Sequence, residues 1–240
     1  MLNCSERLTG ASMRLNKILV VGCLMLGFPA ASFGETFNQD ELFKTKTTPD
    51  ASGAFARTVG GIDASAKAAK ARKLLEVANS KIAQDPNNDR YYLARAQVFR
   101  DLQDFRSSLA DIDHAISLNS SNQFYYSFRA AVWSNLNDCS AALKDIDKAI
   151  SIGPAGADLY LNRAAVLQAL GRYEESLVAC NRSAAMDSKS SMTYVIRGIT
   201  KVHLRDYPGA ELDCKRAESM EPGNFELTKH LRELLTKVGN

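Results

Sequence analysis

The fold is decided by residues 123–156, QFYYSFRAAVWSNLNDCSAALKDIDKAISIGPAG, because this stretch aligns without a gap with three other stretches of the same chain. The other copies are residues 89–122, 157–190 and 191–224, so the period is 34 residues. Tyrosine recurs once per period, at Tyr92, Tyr126, Tyr160 and Tyr194. This strict spacing predicts one supersecondary unit repeated in tandem, with each copy packed on its neighbours.

Each copy contains two stripes of apolar or small residues with helical spacing, and we number its residues as places 1 to 34. Places 4, 8, 11 and 14 form the first stripe, which in the first copy is Tyr92, Ala96, Phe99 and Leu102. After a turn at places 15 and 16, the second stripe of that copy contains Leu109, Ile112, Ala115, Ile116 and Leu118. Spacings of three and four predict a first helix (A) and a second helix (B), and therefore an all-α fold.

Both ends of the array have a single amphipathic helix. Residues 64–88 align with the second half of a repeat, and we expect a helix over Ala64–Gln84 with Asp63 as its N-cap. Residues 225–238 place four leucines on one face and charged residues on the other, which is typical of a capping helix. The predicted array therefore covers residues 64–240.

The chain begins with the three parts of a secretory signal, which we assign to residues 1–34. Arg14 and Lys17 precede a short apolar run, Ile18–Phe28, and small residues follow up to Gly34. We expect cleavage after Gly34, a flexible tether over residues 35–63, and export to the periplasm or outside the cell. Met1 and Met13 both remain possible starts. The alternative is an uncleaved membrane anchor, although Pro29 leaves the run short of the roughly 20 residues that span a bilayer.

Composition argues against nucleic acid as a partner. The whole chain has 30 basic and 27 acidic residues. Removal of residues 1–34 leaves 27 and 26, a net charge of +1, and no long basic run survives. We expect no stable membrane insertion once the signal is cleaved.

The residues that commonly carry chemistry are scattered. His114, His203 and His230 have no partner at metal-ligand spacing, and no phosphate-binding glycine loop follows a strand pattern. We therefore expect no catalytic residue, cofactor or metal. The mature chain retains Cys139, Cys180 and Cys214, which disulfides or buried thiols could explain. Two of them share place 24, where other copies have isoleucine, and this favours thiols packed in the core.

A recurring arginine at place 7 of helix A predicts an ion pair inside each repeat. Places 7 and 23 lie equally far from the turn, so they should face each other across the antiparallel helices. The expected pairs are Arg95 with Asp111, Arg129 with Asp145, and Arg197 with Asp213. The third repeat has Ala179 at place 23, so Arg163 must find another acceptor or turn toward solvent.

These repeats resemble the tetratricopeptide repeat (TPR) family. The second copy is the most similar, with Tyr126, Ala130, Trp133, Ala142, Ala149 and Pro154. The third copy departs from the family pattern at Ser176, Ser183 and Ser188, and the fourth at Lys201. The resemblance implies a right-handed superhelix, an α-solenoid of four full repeats with a concave groove lined by the A helices.

The resemblance also implies which side chains line the groove, at places 2, 5, 9, 12 and 13. The predicted groove residues are Arg90, Gln97, Arg100, Phe124, Ser127, Asn135, Asp158, Leu161, Gln168, Met192, Val195, Ile199, Val202 and His203. This surface changes from charged to apolar along the array. The apolar end predicts that a partner, the C-terminal helix or a second copy covers the fourth repeat.

We therefore expect an exported, non-enzymatic scaffold that binds a peptide or helix of a protein partner in its groove and supports assembly of a complex. The alternative is a structural self-assembly module that dimerises through the apolar surface of the fourth repeat.

Overall fold

The structure, a computed structural model, describes residues 61–238. The predicted signal peptide and residues 35–60 of the predicted tether lie outside the described residues. The part that is described is built of helices: α1 Gly61–Gln84, α2 Asp89–Asp101, α3 Phe105–Leu118, α4 Gln123–Asn135, α5 Cys139–Ile152, α6 Ala157–Ala169, α7 Tyr173–Met186, α8 Ser191–His203, α9 Tyr207–Met220 and α10 Phe225–Val238. Between residues 61 and 238, no helix is both long enough and apolar enough to cross a membrane.

The predicted fold class is confirmed, because these helices form the helix–turn–helix repeats of an α-solenoid. In all four repeats helix A occupies places 1–13 and helix B occupies places 17–30. The described residues divide into two compact units, 61–125 and 126–238. In the first unit α2 packs on α1 and α3, and in the second α6 packs on α7 and α8 on α9.

The same turn joins the two helices of every repeat. Place 15 has a positive φ in all four, at Gln103 (62°), Asn137 (61°), Gly171 (74°) and Arg205 (63°). In the first repeat the N–H of Asp104 donates to the carbonyl of Phe99 at 2.9 Å, and that of Gln103 donates to Arg100 at 2.8 Å. This is the Schellman arrangement that ends helices through a left-handed residue. Only Gly171 adopts that conformation without the steric cost of a Cβ.

The acidic residue that follows the turn begins the second helix. The carboxylates of Asp104, Asp138 and Asp206 accept a hydrogen bond from the backbone N–H three residues later, as N-caps do. In the third repeat Arg172 takes this place and makes no cap, but it pairs with Glu175 at 2.6 Å. One aspartate at place 16 thus links the end of helix A to the start of helix B.

The predicted start of the first helix is wrong by three residues. Helix α1 begins at Gly61 and not at Ala64, so Asp63 lies inside the helix and is not its N-cap. The C-terminal helix has the predicted bounds, Phe225–Val238. It starts 34 residues after α8 and therefore takes the place of helix A in a fifth repeat.

Small residues let helices A and B approach closely, and serine serves as well as alanine. Ala96 and Ala164 at place 8 are completely buried. The hydroxyls of Ser108 and Ser176 at place 20 donate to the carbonyls of these alanines at 2.8 Å. Because the buried hydroxyl is satisfied, the departure from the family pattern at Ser176 costs the third repeat little.

The fourth repeat has glycine at place 8 because the C-terminal helix approaches it. A Cβ added at Gly198 would lie 2.6 Å from Cδ2 of Leu231, which is too close for any packed pair of carbons. Leu231 is itself completely buried. Gly198 therefore makes room for α10.

Candidate functional site

The three predicted ion pairs are present, and each is bidentate. Nε and Nη2 of Arg95 donate to the two carboxylate oxygens of Asp111 at 2.8 and 2.7 Å. Arg129 and Asp145 form the same pair at 2.7 and 2.7 Å. The carboxylates are almost fully buried, so each must be compensated by charged donors, and two parallel hydrogen bonds supply them. Asp111 raises the pKa of Arg95 above its ordinary value through these bonds.

In the fourth repeat a lysine joins the pair. Nε and Nη2 of Arg197 donate to Oδ2 and Oδ1 of Asp213 at 2.9 and 2.6 Å, and Nζ of Lys201 lies 2.9 Å from the same Oδ2. Lys201 also donates to the carbonyl of Gly209 at 3.3 Å. Lys201 stands where TPR sequences usually have an aromatic residue, and its two acceptors explain why a charge is tolerated there.

A second set of contacts, which sequence reasoning missed, joins the first, third and fourth repeats to the B helix that precedes each of them. Place 25 of the preceding repeat supplies the acceptor. Arg95 donates to Oδ1 of Asn79 at 2.7 Å, and Arg197 donates to Oδ1 of Asn181 at 3.1 Å.

Arg163 finds its acceptor in the same way. It has no carboxylate in its own repeat, and it donates to Oδ1 of Asp147 at 2.7 Å. The signal was present in the sequence, because place 25 holds Asn or Asp wherever an arginine follows one repeat later. In the fourth repeat, place 25 is Lys215. The helix that follows has Leu231 at place 7, where the repeats have arginine.

The recurring tyrosine at place 4 packs beside the arginine. The guanidinium of Arg129 lies 5.5 Å from the ring centre of Tyr126, and that of Arg197 lies 5.0 Å from Tyr194. A basic residue at place 26 adds a second cation, such as Arg216 at 4.5 Å from the Tyr194 ring. The hydroxyl of Tyr194 donates to the carbonyl of Ser188 at 3.2 Å. Cation–π contacts and this hydrogen bond hold one side of helix A in place.

These repeated contacts are structural, and they involve one side of every A helix. The predicted groove residues lie on other places of the same helices. Most remain partly exposed or exposed: Arg90, Gln97, Arg100, Phe124, Ser127, Asn135, Asp158, Met192 and His203. Ala131, at place 9 of the second repeat, is also partly exposed.

Five of the predicted groove residues are buried, which corrects their assignment as partner contacts. They are Leu161, Gln168, Val195, Ile199 and Val202. Gln168 is only 2% exposed, and its Nε2 donates to the carbonyl of Ile196 and to Oγ1 of Thr200 at 3.2 and 3.0 Å. This amide therefore links α6 to α8 and is not a free ligand-binding group.

The apolar end of the predicted groove is covered by the C-terminal helix. Val195, Ile199 and Val202 form one cluster with Leu231 and Leu234 of α10, and each is buried. The sequence left three candidates to cover this surface: a partner, the C-terminal helix or a second copy. In the structure the C-terminal helix covers it. The proposed dimer through the fourth repeat loses its basis, because the surface that motivated it is already buried.

Cysteine and histidine do not assemble a reactive site. Among residues 61–238 there is no cluster of three or more His, Cys, Asp or Glu side chains that could hold a metal ion. Cys180 and Cys214 are free thiols, and both are buried. Burial raises the pKa of Cys180 to about 12 and that of Cys214 to about 11. Both thiols stay protonated at neutral pH, so they are poor nucleophiles and poor metal ligands.

Two histidines lie at a contact between helices. His203 and His230 are partly buried where α8 meets α10. The ring of His203 stacks on Tyr173 of α7, with ring centres 4.2 Å apart and planes 5° apart. His114 is exposed, and its ring centre lies 4.1 Å from that of Tyr92.

Comparison with solved structures gives the same fold. The chain is similar to YrrB, described as a TPR protein with an unusual peptide-binding site, with a TM-score of 0.58 and 18% identity over 68% of this chain and 89% of YrrB. It is also similar to MamA from Desulfovibrio magneticus RS-1, with a TM-score of 0.60 and 14% identity over 68% of this chain and 98% of that chain. A thermophilic TPR protein from Thermus thermophilus matches with a TM-score of 0.55 and 14% identity over 73% and 95%.

At these identities the similarity establishes the fold alone, which is that of TPR proteins. No protein-family model matches the sequence. No curated protein matches it either.

We predict that Asp145→Ala destabilises the protein far more than Asp147→Ala. The first change leaves the Arg129 guanidinium without its buried carboxylate, at a cost of about 3 kcal/mol. The second removes a pair whose aspartate side chain is 48% exposed, at a cost below about 1 kcal/mol. Urea unfolding followed by circular dichroism measures both. Equal midpoints for the two variants would show that the buried pair does not hold the hairpin together.

Proposed function

We propose that this chain is an exported, non-enzymatic scaffold that binds an extended peptide or helix of a protein partner along the concave side of its A helices. The observation that carries the proposal is a division of each A helix into two sides. One side repeats the same Tyr and Arg, which are used internally. The other side differs from repeat to repeat: it is largely accessible on α2 and α4, whereas the predicted groove residues of α6 and α8 that remain partly exposed are Asp158, Met192 and His203.

The contacts on the internal side of each A helix fix the helix in place before a partner binds to its accessible side. Each arginine ties helix A to helix B of its own repeat or to the preceding repeat, with the pair distances given above. A surface held in this way loses little conformational freedom when a partner binds, so more of the contact energy appears as affinity. This favours a fixed recognition surface over a site that forms on binding.

The accessible side chains indicate a partner of mixed polarity. In the unit 126–238, helix α4 presents Ser127, Ala131 and Asn135, while α6 presents Asp158 and α8 presents Met192. Small side chains on α4 let a peptide backbone approach the helix closely. Oδ1 of Asn135 is buried and has no hydrogen-bond partner among the described residues, so a donor from a bound chain would relieve an unsatisfied acceptor. Met192 offers an adaptable apolar contact.

The unit 61–125 offers a different chemistry. Helix α2 exposes Arg90 and partly exposes Gln97 and Arg100. The guanidinium of Arg100 lies 3.0 Å from the carboxylate of Asp101, and both side chains are substantially solvated. A peptide that reaches this helix meets polar and charged groups. The similarity to YrrB, described as having a peptide-binding site, supports the same class of ligand without identifying it.

We expect Ala131→Arg to weaken peptide binding about tenfold or more, because a long side chain at place 9 occupies the space a peptide backbone would use. Peptides selected from a random display library against the purified chain serve as ligands, with affinity measured by calorimetry. Ala185→Arg is the matched control, since it makes the same change at an exposed position of helix B. Failure to select any binder, or equal affinity for Ala131→Arg and wild type, would contradict concave binding.

Export is the second part of the proposal and has its own test. If residues 1–34 are a signal peptide, full-length protein expressed in a bacterium with two membranes should yield a mature chain that begins at Glu35. Intact-mass analysis of periplasmic and cytoplasmic fractions measures the start. Gly34→Asp is the control, because a charged residue next to the cut should block cleavage. A soluble cytoplasmic chain that retains residues 1–34 would refute export, whereas a membrane-bound uncleaved chain would support the anchor.

A further inference from the structure

The contact between the C-terminal helix and the fourth repeat contains two partly buried histidines. His203 ends α8, and His230 lies in the middle of α10. Nε2 of His203 and Nδ1 of His230 are both buried and have no hydrogen-bond partner among the described residues. The same two helices form the apolar cluster that contains Val195, Ile199 and Leu231.

The groups that face the two rings favour the neutral form. From α7, His203 meets the Tyr173 ring, whose own pKa is raised by burial and which therefore stays uncharged. Across the helix contact, a proton on His230 repels one on His203. Within α10, Glu233 and Lys237 act on His230 in opposite directions. Among the described residues, no carboxylate is seen to act on His203, and the effect of Glu233 on His230 is opposed by Lys237.

Burial, the largest cause, lowers the pKa of both histidines below their ordinary value of 6.5. A helix that has left the contact exposes the same side chains to water, where they bind protons more readily. The free form thus binds more protons than the docked form as pH falls through 6.5. Docking is fully stabilised above that pH and weakens below it.

We propose that α10 is a pH-sensitive cap that leaves the fourth repeat on mild acidification and uncovers its apolar side. The segment between α9 and α10 is short and contains Pro222 and Gly223, whose φ is +92°. Release breaks the contact of Leu231 with Gly198 while the Arg197–Asp213 pair stays within the fourth repeat. The uncovered residues Val195, Ile199 and Val202 extend the accessible side of helix A by one repeat.

The other polar contacts of α10 do not respond in the same pH range. Arg232 donates to Glu218 at 2.5 Å and Thr228 donates to it at 3.0 Å. These bonds lower the pKa of Glu218 below its ordinary value, so this carboxylate keeps its charge when the histidines titrate. A change in docking between pH 7.5 and 5.5 is therefore assigned to the two histidines.

Amide hydrogen exchange of the full chain, followed by mass spectrometry, tests the proposal. After correction for intrinsic exchange rates, the protection factor of residues 225–238 should fall about tenfold or more from pH 7.5 to 5.5. The reason is that each proton bound by the released form and not by the docked form changes the docking equilibrium constant by up to about tenfold per pH unit. Protection of residues 173–186 should change much less. Unchanged protection of 225–238, or an equal loss in both segments, would overturn a selective release of α10.

Variants locate the effect. His203→Phe with His230→Leu keeps the stacking and apolar contacts without a titratable group, and it should abolish the pH dependence of α10 protection. His114→Gln is the matched control, because that histidine is exposed on α3, and its pH profile should equal that of wild type. If the double variant folds poorly, the NMR titration of the two wild-type histidines replaces it. Ordinary pKa values for both rings would contradict the proposal.

Discussion

A buried carboxylate at place 23 is the constraint on which the first, second and fourth repeats depend. Asp111, Asp145 and Asp213 are nearly inaccessible to water, so each would cost several kcal/mol if it stood alone. An arginine at place 7 meets that requirement with two parallel bonds, and its planar group can also lie beside a tyrosine ring. The pair fixes the rotation of helix A against helix B. In the first and fourth repeats the same arginine also donates to an asparagine of the preceding B helix, so there one side chain sets both the hairpin and its stacking on the helix before it.

This arrangement also explains how the array ends. Place 25 changes to Lys215 in the fourth repeat, and the next arginine place holds Leu231. The polar contact between repeats is thereby replaced by an apolar one, for which Gly198 makes room. Release of this helix breaks the contacts of Arg232 and Thr228 with Glu218, but it leaves the Arg197–Asp213 pair of the fourth repeat intact. The pH-sensitive release proposed for the C-terminal helix would therefore leave the hairpins intact.

Much of the fold could be predicted from the sequence because period and place have direct physical meaning. The spacing of 34 residues predicted all four repeats. The pair of Arg129 with Asp145 was predicted because the two residues lie equally far from the turn between the helices. The buried side of α8 could not be predicted, since Val195 and Ile199 look the same in sequence whether a partner or α10 covers them. Gln168 was misassigned for a similar reason. Its acceptors, a carbonyl and a threonine hydroxyl of α8, depend on how neighbouring helices sit.

The central claim is that the arginine–aspartate pair couples the two helices of a repeat, and a double-mutant cycle measures this coupling most directly. Arg129→Met, Asp145→Asn and the double variant should be compared with wild type by urea unfolding. The account predicts a coupling free energy of about 2 kcal/mol or more, at the high end for residues in one network. A coupling of no more than a few tenths of a kcal/mol, with the fold retained in every variant, would contradict it.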